Sequence, residues 1–173
     1  AVEEHLENLK AKEGDQKMAC GCPSNQIQSF MTTACDGANQ PTAIAGTESA
    51  LAHWPIQINL VPPHAPFLKN ADLLVVADCA PLAFPDFHSR FLKGRAVMMG
   101  CPKFDNAEAY IDKFAQVFST AELKSITTVV MEVPCCSGLP FIIKKGLEKS
   151  GKDIPLTEVV ISTQGKVLAE KAA

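Results

Sequence analysis

The sequence predicts a three-layer α/β sandwich on a mainly parallel five-stranded sheet, and three observations carry that prediction. Apolar and β-branched runs recur at residues 73–78, 96–100 and 126–133, the pattern of strands buried on both faces. Amphipathic segments of helical period lie between them, so strands and helices alternate as βαβ units. Each of the three runs leads into cysteine, through Asp78-Cys79, Gly100-Cys101-Pro102 and Pro134-Cys135-Cys136.

Taken in order, residues 2–12 read as a helix with Val2, Leu6 and Leu9 on one face, broken by Gly14-Asp15. A Cys20-Gly21-Cys22-Pro23 loop follows. Residues 32–46 are small and polar, as in a surface loop. Residues 56–61 alternate apolar and polar side chains, which predicts an outer strand with one wetter face, stopped by Pro62-Pro63. A short helix through Phe67, Leu68 and Lys69 leads to the second strand, 73–78. A helix is expected over about 86–93, with Gly94 as its C-cap. After the third strand, Asp105-Asn106-Ala107-Glu108 opens a long helix that turns Ile111, Phe114, Ala115 and Phe118 to the sheet. The fourth strand ends at Pro134, which has no N–H for a central ladder. Its helix, about 139–149, stops at Ser150-Gly151. Residues 156–162 form a fifth strand before the turn Gln164-Gly165-Lys166. The expected unit is one domain over 1–173, of flavodoxin-like or Rossmann-like type, with residues 1–50 packed on it. The handedness of βαβ units then places the strands' carboxyl ends on one edge.

Composition narrows the function. The chain has 173 residues, 47% of them hydrophobic, enough for a full core without disulfide staples. A net charge of −3 and the lack of a basic stripe argue against nucleic acid. No apolar run approaches a membrane span, and no basic-then-apolar leader opens the chain, so a cytoplasmic location is expected. Starting at Ala1 with a helix already under way, the chain reads as a piece of something longer.

Seven cysteines are too many for inert packing, and strand-end positions in such a chain point to metal or redox chemistry. Cys35, in a polar stretch, suits a small buried hydrophobe. Cys79, Cys101, Cys135 and Cys136 are the first-choice metal ligands, and Cys20 and Cys22 the second. Paired Cys-x2-Cys knuckles for structural zinc are missing. Adjacent cysteines can hardly share one small tetrahedral ion, whereas a cubane offers separate iron corners. Helix N-termini after Cys79, Cys101 and Cys136 would favour a net-negative cluster. His53, His64 and His88 read as hydrogen-bonding histidines, with His64 and His88 the exceptions to watch. Asp78 and Glu132 read as salt-bridged caps. Lys103 would tune a cluster's potential or simply be solvated. Dinucleotide and P-loop glycine motifs are absent, although a flavin on a sheet edge needs neither.

Cys20-Gly21-Cys22-Pro23, Trp54-Pro55, Ala77-Asp78-Cys79, Phe87-His88, Phe91-Leu92-Lys93-Gly94, Gly100-Cys101-Pro102-Lys103 and Val133-Pro134-Cys135-Cys136 together carry a resemblance. Over nearly its whole length the chain resembles the C-terminal cysteine-rich domain of anaerobe 4Fe–4S ferredoxin-like iron–sulfur cluster-binding proteins. It departs from them in lacking the preceding ferredoxin segment with its Cys-x2-Cys-x2-Cys-x3-Cys runs. The strand-end cysteines are also similar, at the level of fold, to those of the cluster-bearing small subunits of respiratory complex I and nickel–iron hydrogenases. The resemblance implies a cytoplasmic electron carrier of anaerobic metabolism, holding a 4Fe–4S cluster or, with all six cysteines, a larger or double one. Its partner would be a redox protein, a ferredoxin or an oxidoreductase, with a homodimer admissible. Two alternatives stand beside it. One is a thiol–disulfide redox protein or metal and cluster carrier; the other is a small-molecule-binding subunit with structural cysteines.

Overall fold

The four most apolar strands pair in parallel at the centre of the molecule, which a computed structural model describes over residues 28–29 and 49–173. The expected helix at 2–12, the loop bearing Cys20 and Cys22, and Cys35 lie outside the described residues. A two-stranded antiparallel ribbon comes first, β1 (Gln28–Ser29) with β2 (His53–Trp54). The main sheet holds β3 (Asp72–Ala77), β4 (Ala96–Gly100), β5 (Ser125–Met131), β6 (Leu156–Ile161) and β7 (Val167–Ala172). Their order is β4-β3-β5-β6-β7, with only β7 antiparallel. β3 is buried at every position but its first, as a central strand covered on both faces should be.

This order has a consequence for function. From β3 the chain steps outward to β4, then crosses back to β5 on the other side of β3. Right-handed crossovers in opposite directions put their helices on opposite faces. On one side lie α1 (Ala80–Ala83) and a π-helical turn, His88–Leu92, with Phe84, Phe87 and Phe91 packed beneath them. On the other lie α2 (Ala107–Thr120) and α3 (Gly138–Ser150), packed side by side. Their closeness depends on Gly146, where an added Cβ would stand 2.8 Å from the Cβ of Phe114. Asn106 caps α2, its side-chain oxygen accepting the Ala109 N–H at 3.0 Å. Gly151 ends α3 in the left-handed region at φ 66°. Among the described residues no helix is long and apolar enough to cross a membrane.

The three-layer α/β class holds, and the sheet has five strands, but one expected member is replaced. Residues 56–61 do not form a strand. Ile56 and Ile58 make one bridge beside Met99, and the chain then turns, with the Leu60 and Val61 N–H groups donating to Gln57 O. The alternation read there reflects a turn that buries Ile58 and Val61 and exposes Asn59. The fifth strand is instead β7, beyond the predicted turn at Gly165. It runs antiparallel, so not every strand points its carboxyl end to the same edge. The helix expected over 86–93 is a shorter π-helical turn.

Candidate functional site

Parallel register decides which residues meet at the carboxyl edge. Ala77 pairs with Gly100, and Val76 with Val129, so β4, β3 and β5 finish side by side. Cys101 follows β4 directly, Cys79 lies two residues past β3, and Cys135 and Cys136 stand four and five residues past β5. The gap between β3 and β5 is where the chain reverses its direction across the sheet, and such switch points open a crevice at the carboxyl ends of the strands.

At that edge Cys135 and Cys79 lie near enough to Cys136 to bear on its thiol electrostatically. Pro134 opens a 3₁₀ turn through Ser137, closed by the Cys136 N–H donating to Val133 O at 3.0 Å and by Ser137 Oγ donating to Pro134 O at 2.7 Å. The turn separates the pair: Cys135 is exposed and Cys136 is buried. Burial pushes the Cys136 thiol up in pKa, against a lowering backbone hydrogen bond at Met131, with smaller upward pushes from Cys135 and Cys79. Cys79 is exposed at the N-cap of α1.

Cys101 is half-buried on the adjoining loop. Its N–H donates to Asp105 Oδ2 at 3.3 Å, and the Asp105 N–H donates back to Cys101 O at 3.1 Å. The same carboxylate oxygen accepts the Tyr110 hydroxyl at 2.5 Å. Tyr110 is 1% exposed, and burial, Asp105, Asp78 and Cys101 all raise its pKa well above the ordinary phenol range. Asp78 joins this cluster. Its Oδ1 is buried without a hydrogen-bond partner, and burial, then Asp105, raises its pKa. Gly100 makes room for the tyrosine, since a Cβ there would collide with its hydroxyl. The next loop residue, Pro102, lies against α3, with its Cβ 3.5 Å from where a Gly138 Cβ would be. The Cys101 loop therefore borders the Cys135-Cys136 turn.

Several expectations change here. Helices begin close behind Cys79 and the Cys135-Cys136 pair, but α1 is a single turn, and α2 starts beyond the Asp105-closed loop. Asp78 is not a salt-bridged cap but an acid facing another acid. Glu132 is a brace, accepting the Thr163 N–H at 2.9 Å and its hydroxyl at 3.2 Å. His64 lines a cleft with Thr120 and Glu122 at the far end of α2, away from the thiols. His88 Nδ1 accepts the Ala50 N–H at 3.1 Å. His53 is buried in the core, stacked on Phe67 at 3.8 Å, and its Nε2 accepts the Val97 N–H at 2.8 Å. Lys103 is exposed over Phe104. Among the described residues no group of three or more His, Cys, Asp or Glu side chains is arranged to hold a metal ion. The Asp78–Asp105–Tyr110 cluster was missed in the sequence. Its signal would have been the chain's single tyrosine, one turn inside a helix that Asp105 introduces.

Fold and edge together define a doubly wound α/β protein with cysteines just beyond the carboxyl ends of three adjacent parallel strands. The chain belongs to the Rossmann-like domain family, whose model matches residues 65–173. An uncharacterized protein of Archaeoglobus fulgidus is 33% identical over 114 residues, 66% of this chain and 80% of that protein. No solved structure matches the chain.

Proposed function

We propose that this protein is a cytoplasmic iron–sulfur cluster-binding redox protein that passes electrons between partner proteins. The observation that carries the reading is the convergence of Cys79, Cys101 and the Cys135-Cys136 pair, from three adjacent strand ends, on one switch-point edge. Four thiols spread over three loops suit the separated iron corners of a 4Fe–4S cluster better than one tetrahedral ion, and the exposed–buried split of the adjacent pair supports that. The cluster, when bound, supplies one-electron chemistry. Cys79, Cys101, Cys135 and Cys136 would hold it, with Cys136 on its buried side, and would surrender their thiol protons on binding. Cys20 and Cys22 are the reserve ligands for a larger or double cluster.

Anaerobic purification or reconstitution, with iron and acid-labile sulfide counted per chain, tests this. Bound iron and sulfide with broad absorption near ~400 nm are expected from thiolate-to-iron charge transfer. Cys136→Ser should remove most of the iron, whereas Cys35→Ser should not. A colourless protein after reconstitution, or equal iron in both variants, overturns the reading.

A second reading, thiol–disulfide exchange, is favoured by the closeness of exposed Cys135 and Cys79 to buried Cys136, with no three described side chains set for a metal ion. Thiol titration with mass mapping after mild oxidation and reduction distinguishes it: a reversible disulfide among these three supports exchange.

A further inference from the structure

Away from the thiol loops, the described residues include a buried carboxylate that the proposed chemistry does not use. Glu158, in β6, has a side chain only 7% exposed. Its register partner on β5 is Thr128, fully buried, whose Oγ1 has no hydrogen-bond partner. Glu158 Oε1 lies 2.9 Å from Lys144 Nζ as an ion pair but lacks an aligned hydrogen bond, and Oε2 lies 3.3 Å from Lys171 Nζ. For stability alone an apolar residue would serve as well there, because burying a carboxylate costs hydration that its ion pairs only offset. The same carboxylate lines a cavity of about 500 Å³ between β5, β6 and the first two turns of α3. Val130 and Val160 line it from the sheet, Val133 and Pro134 from the end of β5, and Pro140 and Phe141 from α3. Pro134 and Ser137 flank the Cys135-Cys136 pair, so the cavity adjoins the thiol turn.

The walls select the ligand. Apolar side chains dominate them, with a few polar groups, as in pockets that hold small organic molecules. Phe141 lines the cavity yet is 58% exposed, so a flat ring laid against it would bury apolar surface now in water. The charges cancel: Lys144 and Lys171 stand against Glu158 and Glu132, and Glu132 is braced by Thr163. A charged ligand would find no unmatched partner there. A hydroxyl group fits the Lys144–Glu158 pair, accepting from the ammonium and donating to the carboxylate. Both have capacity left, since a carboxylate offers about four lone-pair sites and an ammonium three donors. We infer that this cavity binds a small, uncharged aromatic molecule carrying one hydroxyl group. Its ring would lie against Phe141 and Pro140, and its hydroxyl at the Lys144–Glu158 pair. The site goes beyond the electron-transfer reading and does not depend on what the thiols hold.

The test titrates the full chain at neutral pH with three probes of one ring size: 2-naphthol, naphthalene and 2-naphthoate. Wild type should bind 2-naphthol about tenfold more tightly than naphthalene, the effect of one hydrogen bond to a charged group. It should bind the anionic 2-naphthoate more weakly than 2-naphthol. Glu158→Gln should shrink the preference for 2-naphthol over naphthalene, because the acceptor loses its charge. Lys144→Met, at a half-exposed position, should shrink it too and keeps the test open where the buried variant does not fold. Val160→Phe places a larger side chain in the cavity and should weaken the binding of both neutral probes, with circular dichroism confirming that the variant is folded. No saturable binding of 2-naphthol, equal affinity for naphthalene, or tighter binding of 2-naphthoate would overturn the assignment. So would a preference unmoved in the Glu158 and Lys144 variants, or full 2-naphthol affinity in folded Val160→Phe, which would put the binding elsewhere.

Discussion

His53 shows how one buried side chain ties stability to pH. Its Nε2 accepts from Val97, so the ring must stay neutral, and burial holds its pKa down at about 4. In the unfolded chain the ring titrates near 6.5, so between these values the unfolded state binds more protons. Stability from His53 is therefore complete above about pH 6.5 and is lost as pH falls towards 4, on the order of 3 kcal/mol over that window. Urea midpoints measured from neutral pH downward should fall accordingly, and His53→Gln should flatten that part of the curve while lowering stability at neutral pH. A wild-type midpoint that stays level between those pH values rejects the assignment. At the candidate site, Tyr110→Phe removes the hydroxyl that shares Asp105 Oδ2 with the Cys101 N–H. Faster amide exchange at Cys101 is the expected result, with the fold retained, since the ring still fills the same volume. Unchanged exchange there would mean the hydroxyl does nothing for the loop.

At the level of elements, the contact between α2 and α3 is the most demanding. Gly146 lets α3 approach α2 until backbone meets side chain, with Phe118 Cε2 3.3 Å from the site of an added Cβ. In an exposed helix Gly→Ala would add stability through helix propensity. Here overpacking outweighs propensity, so Gly146→Ala should cost roughly 1–3 kcal/mol. A thermal melt of the variant checks the sign, and a higher melting temperature would refute the packing account. β7 is held differently. It is largely exposed, and it is fastened by its ladder to β6 and by Lys171 Nζ, 3.3 Å from Glu158 Oε2.

For the whole molecule, the loops after β3, β4 and β5 are distant in sequence and adjacent in space, so a cluster bound between them would cross-link the sheet edge. Binding free energy would then add to folding free energy. The sheet has its own apolar core and does not need that help to fold. Removing a bound cluster by chelation should leave the far-ultraviolet circular dichroism unchanged and lower the melting temperature. Hydrogen exchange should quicken at residues 79–84, 101–105 and 134–138. Faster exchange spread evenly over the sheet would make the cofactor part of the core; no change in those loops would mean the thiols bind nothing there.

The sequence by itself determined the βαβ alternation, the three central strands, the two long helices and the cysteine at each strand end. Those are local signals: β-branched runs, helical periodicity, and the prolines and glycines that stop them. Its reading failed at the periphery. Residues 56–61 alternate like a strand, yet they turn after one bridge, because burial of Ile58 and Val61 satisfies the same pattern without a ladder. Val167-Leu168-Ala169-Glu170 carries little strand signal, and only the open edge of β6 makes it a strand. Tertiary structure alone decided the order β4-β3-β5-β6-β7, and with it that Cys79 and the Cys135-Cys136 pair follow adjacent strands on either side of a switch point. It alone also set Asp78 beside Asp105 and Tyr110. Such meetings depend on crossovers between residues far apart in the chain, and no local pattern encodes a distance of that kind.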